Sequence, residues 1–255
     1  MKKSGTIFLF VLLITQVIWA QGNEVIYHSD FEKAAFEKAQ KIPFELFVAS
    51  DPSVTANKYN SFQAHLNSII SQLSVLRSKT NNDLRFLEKA FYKIHRRELS
   101  WYENYVSLSE TLEHKKYDCL TGTALFALIL DELSIDYQIL EFDFHIFLLA
   151  NLRDRQVLLE ATDPINGFII DPNLIKERIE HAEYNVEVSN TFNKTYLKNE
   201  INLKALAGLQ YYNLAVNLFN QQEYKKASHF IQKADLLYSS ERIKNTKDLI
   251  SSASL

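Results

Sequence analysis

Cysteine, glycine and proline are scarce in this chain of 255 residues. It contains one cysteine, five glycines and four prolines. A single cysteine excludes an internal disulfide. So few turn-forming residues favour long helices over many tight hairpins. In an oxidising compartment, we expect a lone thiol to be either buried or used chemically.

An excess of basic residues is also missing. The formal net charge is −3, with 28 lysines and arginines against 31 acidic residues. Phosphate binding draws on a basic excess, so the composition argues against a nucleic-acid binder. The sequence has no His-Glu-x-x-His motif, no cysteine pair and no phosphate-cradling glycine loop. We therefore predict neither a metal nor a cofactor.

Residues 1–20, MKKSGTIFLFVLLITQVIWA, join two lysines, a short apolar run and a terminal small residue. This pattern is typical of a secretory signal peptide, here with cleavage after Ala20. Cleavage would remove two lysines and no acidic residue, which moves the net charge from −3 to −5. The run is short for a stable span, and no lipid-anchor cysteine follows it. We expect a periplasmic or secreted bacterial protein without a membrane span after cleavage.

Residues 21–116 have the pattern of a helical region. Apolar residues recur at helical spacing from Phe62 to Leu76 and again from Leu84 to Ile94. Ser29 and Glu32 have the spacing of a capping box, which marks a helix start. A further short helix is expected over 101–112, beginning at Ser100.

Residues 117–175 have a different residue pattern and are predicted to form a separate core. An apolar stripe predicts a helix from Cys119 to about Glu132. Three runs rich in β-branched and aromatic residues follow and predict an antiparallel meander over 137–142, 145–152 and 157–162. A helix packed on such a sheet is α+β architecture. We expect a linker over 176–199.

Residues 200–251 return to a helical pattern. Alanines at positions 215, 227 and 234 would let two antiparallel helices approach closely. This hairpin resembles a tetratricopeptide repeat, because Ala215, Ala227 and Ala234 fall on the small-residue positions of that family. Leu218 and Ser239 depart from its pattern. One copy cannot form a solenoid, so a plain helical hairpin remains the alternative.

Three residues in this order suggest thiol chemistry. Cys119 stands at a predicted helix start, where the helix dipole and a nearby imidazolium would favour the thiolate. His145 opens the second strand run, and Asp163 directly follows the third. The start of one antiparallel strand and the end of the next lie at the same sheet edge. We therefore expect nucleophile, base and orienting carboxylate to meet there, with Glu160 and Asp171 as alternative carboxylates.

This order resembles the transglutaminase-like superfamily, with its papain-like thiol fold. The matching segments are YDCLTGTALFALILDEL, HIFLLANL and VLLEATDP, within roughly residues 80–172. The resemblance implies a catalytic triad of Cys119, His145 and Asp163 that acts on amide or peptide bonds. It favours hydrolysis over amine transfer, on a peptide or protein substrate. Asp118 stands where glycine is common, and its charge would raise the thiol pKa unless it caps the helix.

Two other functions remain open. The same fold could be catalytically idle and bind a peptide or protein, with the C-terminal helices as the site for a protein partner. Alternatively, the chain is a structural envelope protein with a buried Cys119. The second oxyanion donor is also open, with Tyr117, Trp101 and Tyr102 as candidates. The reactivity of the thiol distinguishes the enzyme from both alternatives.

Overall fold

The structure is a computed structural model that describes residues 25–39, 41, 43–143, 145–189 and 198–253, with only the backbone given for 184–189. The predicted signal peptide lies outside these residues. Within the described part of the chain, every helix is too short or too polar to span a bilayer.

The N-terminal region is helical, as predicted. Its helices are α1 (Asp30–Glu37), α2 (Pro43–Ala49), α3 (Ala56–Ser78), α4 (Asp83–Glu98) and α5 (Leu108–His114). Ser29 caps α1 by accepting from the Glu32 backbone N–H, although the Glu32 side chain accepts from the backbone of His28. The two apolar runs form the buried faces of α3 and α4.

The short helix expected from residue 101 begins later than predicted. Ser107, and not Ser100, caps α5 through a complete capping box with Glu110. The preceding residues form β1 (Trp101–Tyr102), which pairs in parallel with β2 (Lys116–Tyr117). Ser107 is the N-cap because Glu110 stands three residues after it, and the Glu110 carboxylate accepts from the Ser107 backbone N–H.

The central helix and the meander confirm the predicted α+β class. They are α6 (Cys119–Glu132), β3 (Tyr137–Phe142), β4 (Ile146–Asn151), β5 (Gln156–Leu159), β6 (Phe168–Ile169), α7 (Pro172–Ser189) and β7 (Lys198–Ile201). The five strands β3 to β7 form one antiparallel sheet in the order β6-β5-β4-β3-β7.

Both faces of this sheet are apolar, which explains the long hydrophobic runs in its strands. Ile146 and Leu148 of β4 belong to the main core that contains α6. Phe147 and Leu149 alternate with them and join a second cluster that includes Ile175 of α7. The described residues of the predicted linker, 176–189 and 198–199, therefore belong to regular elements. They comprise most of α7, which covers the second face, and the start of edge strand β7.

The C-terminal helices share the main core. They are α8 (Leu203–Asn220), α9 (Tyr224–Leu237) and α10 (Glu241–Ala253). The predicted hairpin is confirmed, since α8 and α9 pack on each other and Ala215, Ala227 and Ala234 are fully buried. Gln210 of α8 is also buried, and its Nε2 donates to the Phe47 carbonyl of α2 at 2.7 Å. Its Oε1 accepts from the first N–H of α5 at 3.0 Å, so one side chain joins three helices.

Gly122 sets how closely α6 approaches the end of β5. A Cβ placed there would lie 2.8 Å from the Cβ of Ala161, a group that cannot rotate away.

We predict that Gly122→Ala lowers the free energy of unfolding by about 1–2 kcal/mol, because overpacking outweighs the gain in helix propensity. Urea unfolding measures the change. The double variant Gly122→Ala/Ala161→Gly should recover most of it, and a single variant more stable than wild type would contradict the close contact.

Candidate active site

Cys119 is held at the start of α6 by the residue before it. Asp118 Oδ1 accepts from the Thr121 backbone N–H at 2.8 Å, and Thr121 Oγ1 accepts from the Asp118 backbone N–H at 3.1 Å. This capping box fixes the first turn of the helix. Asp118 therefore caps the helix, although its charge still raises the pKa of the thiol. The side chain of Cys119 is half-buried beside the β3–β4 connection.

The surroundings of the thiol disfavour the thiolate. Burial raises the pKa of Cys119 to about 12, and the negative charges of Asp118 and Glu160 act in the same direction. Hydrogen bonds from the backbone N–H groups of Ile146 and Leu120 oppose this shift without cancelling it. The lowered thiol pKa expected from the helix dipole is therefore wrong for the resting protein. Cys119 is a protonated thiol at neutral pH.

His145 stands directly before β4 and is paired with a carboxylate. Its Nε2 makes a short hydrogen bond with Glu160 Oε2. The other oxygen of Glu160 accepts from the Thr162 hydroxyl at 2.7 Å. Burial alone would raise the pKa of Glu160, but the hydrogen bond and charge of His145 outweigh it, so that the pKa is lowered. Glu160 is thus a buried, ionised partner for the imidazole.

Asp163 does not occupy the orienting position predicted for it. Its Oδ1 accepts from the Asn166 backbone N–H at 2.8 Å, and its Oδ2 lies 3.9 Å from Arg178 Nη2 of α7. The chain turns directly after β5, and Gly167 closes this turn by donating to the Asp163 carbonyl at 2.9 Å. The carboxylate of Asp163 is used to shape that turn. The predicted partner of His145 is corrected from Asp163 to Glu160.

Strand register explains why Glu160 takes this position. The β4–β5 ladder pairs Leu148 with Leu159. Glu160 is the next residue after this last pair, and alternation along the chain turns its side chain to the face that carries Phe147 and the neighbouring ring of His145. The prediction extended the third strand to Thr162, whereas β5 ends at Leu159. Counting the pairs outward from the hairpin turn was the signal that could have identified Glu160. Asp171, the other alternative, accepts from the Asn173 backbone at the start of α7.

A second histidine lies near Glu160 without competing with His145. His95 of α4 is buried, and its ring packs against Phe91, Tyr117 and Phe126. Burial lowers its pKa to about 4, although Asp163 and Glu160 act in the opposite direction. His95 is therefore neutral at physiological pH, and His145 is the imidazole that pairs with Glu160 at the site.

Cys119 and His145 line one cavity of about 390 Å³. Tyr102 lies on its rim with its hydroxyl donating to Asn104 at 3.0 Å. Burial raises the pKa of Tyr102, and the charge that Cys119 carries when it is ionised adds to this effect, which indicates that the two groups are neighbours. Of the other suggested oxyanion donors, Tyr117 is buried against His95 and Trp101 is exposed outside the cavity lining.

Side chains from α8 and α10 complete the cavity, and sequence reasoning missed them. Arg242 of α10 forms an ion pair with the buried Glu141, and its Nη1 donates to the Asp143 carbonyl at 2.6 Å. Tyr238 also donates to Glu141, at 2.6 Å. About a hundred residues separate these partners along the chain, so no local pattern predicts their contact.

Comparisons with known proteins found no relative of this chain. No family model matches the chain, and neither the curated proteins nor the solved structures gave a match. Among the residues that the structure describes, there is no cluster of three or more histidine, cysteine or acidic side chains suited to a metal ion.

The charge of Asp118 provides a test of the site's electrostatics. We predict that Asp118→Asn lowers the pKa of Cys119, because asparagine retains the cap but removes a negative charge beside the thiolate. The iodoacetamide reaction rate below the thiol pKa should rise about tenfold. Rates between pH 7 and 10 measure this shift. Glu103→Gln, which removes an exposed carboxylate paired with Lys116, is the matched control. Equal profiles for both variants would show that Asp118 has no such effect.

Proposed function

We propose that this protein is an exported thiol enzyme of transglutaminase-like type that hydrolyses amide or peptide bonds. The observation that carries the proposal is the pairing of His145 with the buried, ionised Glu160 at the cavity that also contains Cys119. A nucleophile, a base and a carboxylate that orients the base are the parts of a thiol acyl-transfer site. Glu160 takes the role that the family resemblance assigned to Asp163.

The raised thiol pKa determines how the attack would begin. Cys119 is protonated at rest, so His145 would take the proton as Sγ attacks the substrate carbonyl carbon. Glu160 stabilises the imidazolium that forms and holds the ring in place. The imidazolium then gives its proton to the leaving amine as the C–N bond breaks, which leaves a thioester on Cys119.

The second half of the reaction returns the enzyme to its resting state. His145 accepts a proton from water, and the oxygen of that water attacks the thioester carbon. The carboxylic acid leaves, and the thiol regains its proton from His145. An amine in place of water would give acyl transfer. For the oxyanion of both steps, we propose the backbone N–H of Cys119 at the start of α6 as a donor.

A binding module is the second candidate function. The raised pKa of Cys119 favours it, because a thiol without an effective base would be inert. The cavity would then hold a peptide or protein segment without cleaving it. The predicted export of the chain is common to both functions.

The rate of Cys119 alkylation by iodoacetamide between pH 5 and 10 separates the two functions. We expect His145→Ala to slow the reaction of the folded protein near neutral pH at least about a hundredfold, the lower end for loss of a general base. Glu160→Gln should slow it as well, because its neutral amide no longer stabilises the imidazolium. Asp163→Asn should leave the rate within a factor of about two after equal folding is verified, since its carboxylate serves the turn.

The carboxylate variants also test the correction from Asp163 to Glu160. A large loss in Asp163→Asn with little change in Glu160→Gln would restore the predicted triad. A thiol that reacts only after denaturant is added, in wild type and variants alike, would contradict the enzyme and support the binding module.

A further inference from the structure

The cavity around Cys119 has a second wall that takes no part in the chemistry. Leu209, Tyr212, Asn213 and Val216 line it from α8. Their spacing of three, four and seven residues places them on one face of that helix. One face of α8 therefore borders the cavity that contains the candidate nucleophile. A substrate carbonyl at Cys119 would carry its neighbouring side chain against this wall.

The lining of the cavity combines polar groups with a set of aliphatic and aromatic side chains. Besides the α8 stripe, it includes Leu120, Phe142 and Ile146. Its volume of about 390 Å³ lies near the lower end of ligand pockets, which span about 300–1,000 Å³. This size fits one side chain with its amide and excludes a long, bulky ligand. Burial of an aliphatic or aromatic substrate side chain against these apolar residues would be favourable, because it removes apolar surface from water.

The charges of the cavity oppose an acidic substrate. Among the described residues that line it, Arg242 is the one lysine or arginine. Its guanidinium is already paired with the buried Glu141 and lies 5.1 Å from the Tyr212 ring. Asp118 and Asp143 also line the cavity. A carboxylate on the substrate would be desolvated near these acids without a free cation to compensate it.

We propose that α8 forms the subsite for the acyl side chain, and that this subsite selects neutral apolar residues over acidic ones. The inference rests on the proposed thiol enzyme and names its substrate class. Val216 is a specificity-determining residue, since it is the half-buried aliphatic member of the α8 stripe. The hairpin is then a substrate-binding wall, a role distinct from the protein-partner site predicted from its sequence.

Two chloromethyl ketones, derived from acetyl-leucine and acetyl-aspartate, test this selectivity on the full-length mature protein. Cys119 sulfur displaces chloride from either probe and forms a thioether, so one reaction reports recognition of both side chains. Each rate ratio is divided by the ratio measured with free cysteine. Wild type should prefer the leucyl probe by about tenfold or more, as expected for an apolar pocket that rejects a charge.

Val216→Lys should reduce this preference to about one or reverse it, because it places a cation in the subsite. Asn217→Lys is the matched control: it adds the same charge at the next position of α8, which lies outside the cavity lining. Its ratio should equal that of wild type. Iodoacetamide, which has no side chain to recognise, should react with wild type and Asn217→Lys at similar rates. A lysine at position 216 would also favour the thiolate, but the ratio of the two ketone rates within one protein cancels that effect.

The outcomes separate this inference from the function on which it rests. If iodoacetamide reactivity depends on His145 but both ketones react equally, the thiol enzyme stands and the apolar subsite is wrong. A ratio changed equally by both lysine variants would also overturn the role of Val216. If Cys119 is inert to all three reagents in the folded protein, the proposed enzyme and its subsite are both wrong.

Discussion

The burial of α6 is the constraint on which the rest of the structure depends. All residues from Leu120 to Leu130 are buried, so the helix needs cover on every side. The sheet, α3, α5 and α8 pack around it, and Phe126 stacks on Phe91 of α4. The start of the helix, with Cys119 and Leu120, reaches the candidate cavity. The position of Cys119 is therefore a consequence of how the core closes around α6.

The same burial determines the chemistry that the site can support. It raises the pKa of Cys119, so a resting thiolate would have to overcome both desolvation and two nearby acids. Glu160 lies deeper than His145 and remains ionised because its hydrogen bonds compensate its burial. This arrangement favours charge on the imidazole during attack over charge on the sulfur at rest. A site of this kind is protected from oxidation, since the thiolate is the reactive form.

The C-terminal helices are tied to the rest of the protein by buried polar contacts. Lys233 of α9 and Glu32 of α1 are both buried, and Lys233 Nζ lies 2.7 Å from Glu32 Oε1. Gln210 joins α8 to α2 and α5, and Arg242 joins α10 to the end of β3. Removing one partner from a buried pair leaves the other charge uncompensated, which is more costly than the pair itself is stabilising. These ties hold α8 as a fixed wall beside Cys119.

The sequence by itself determined most of the helices, the meander and the hairpin, because hydrophobic periodicity and capping residues such as Ser29 are local signals. It also brought Cys119 and His145 together, since helix start and strand start are readable from their neighbours. Tertiary structure decided that Glu160 and not Asp163 pairs with His145, because a strand that ends at Leu159 changes which residue faces the ring. It also decided that the first part of the predicted linker belongs to the covering helix α7 and that Arg242 reaches the cavity. Those choices depend on strand register and on contacts between residues far apart in the chain, which carry no local pattern.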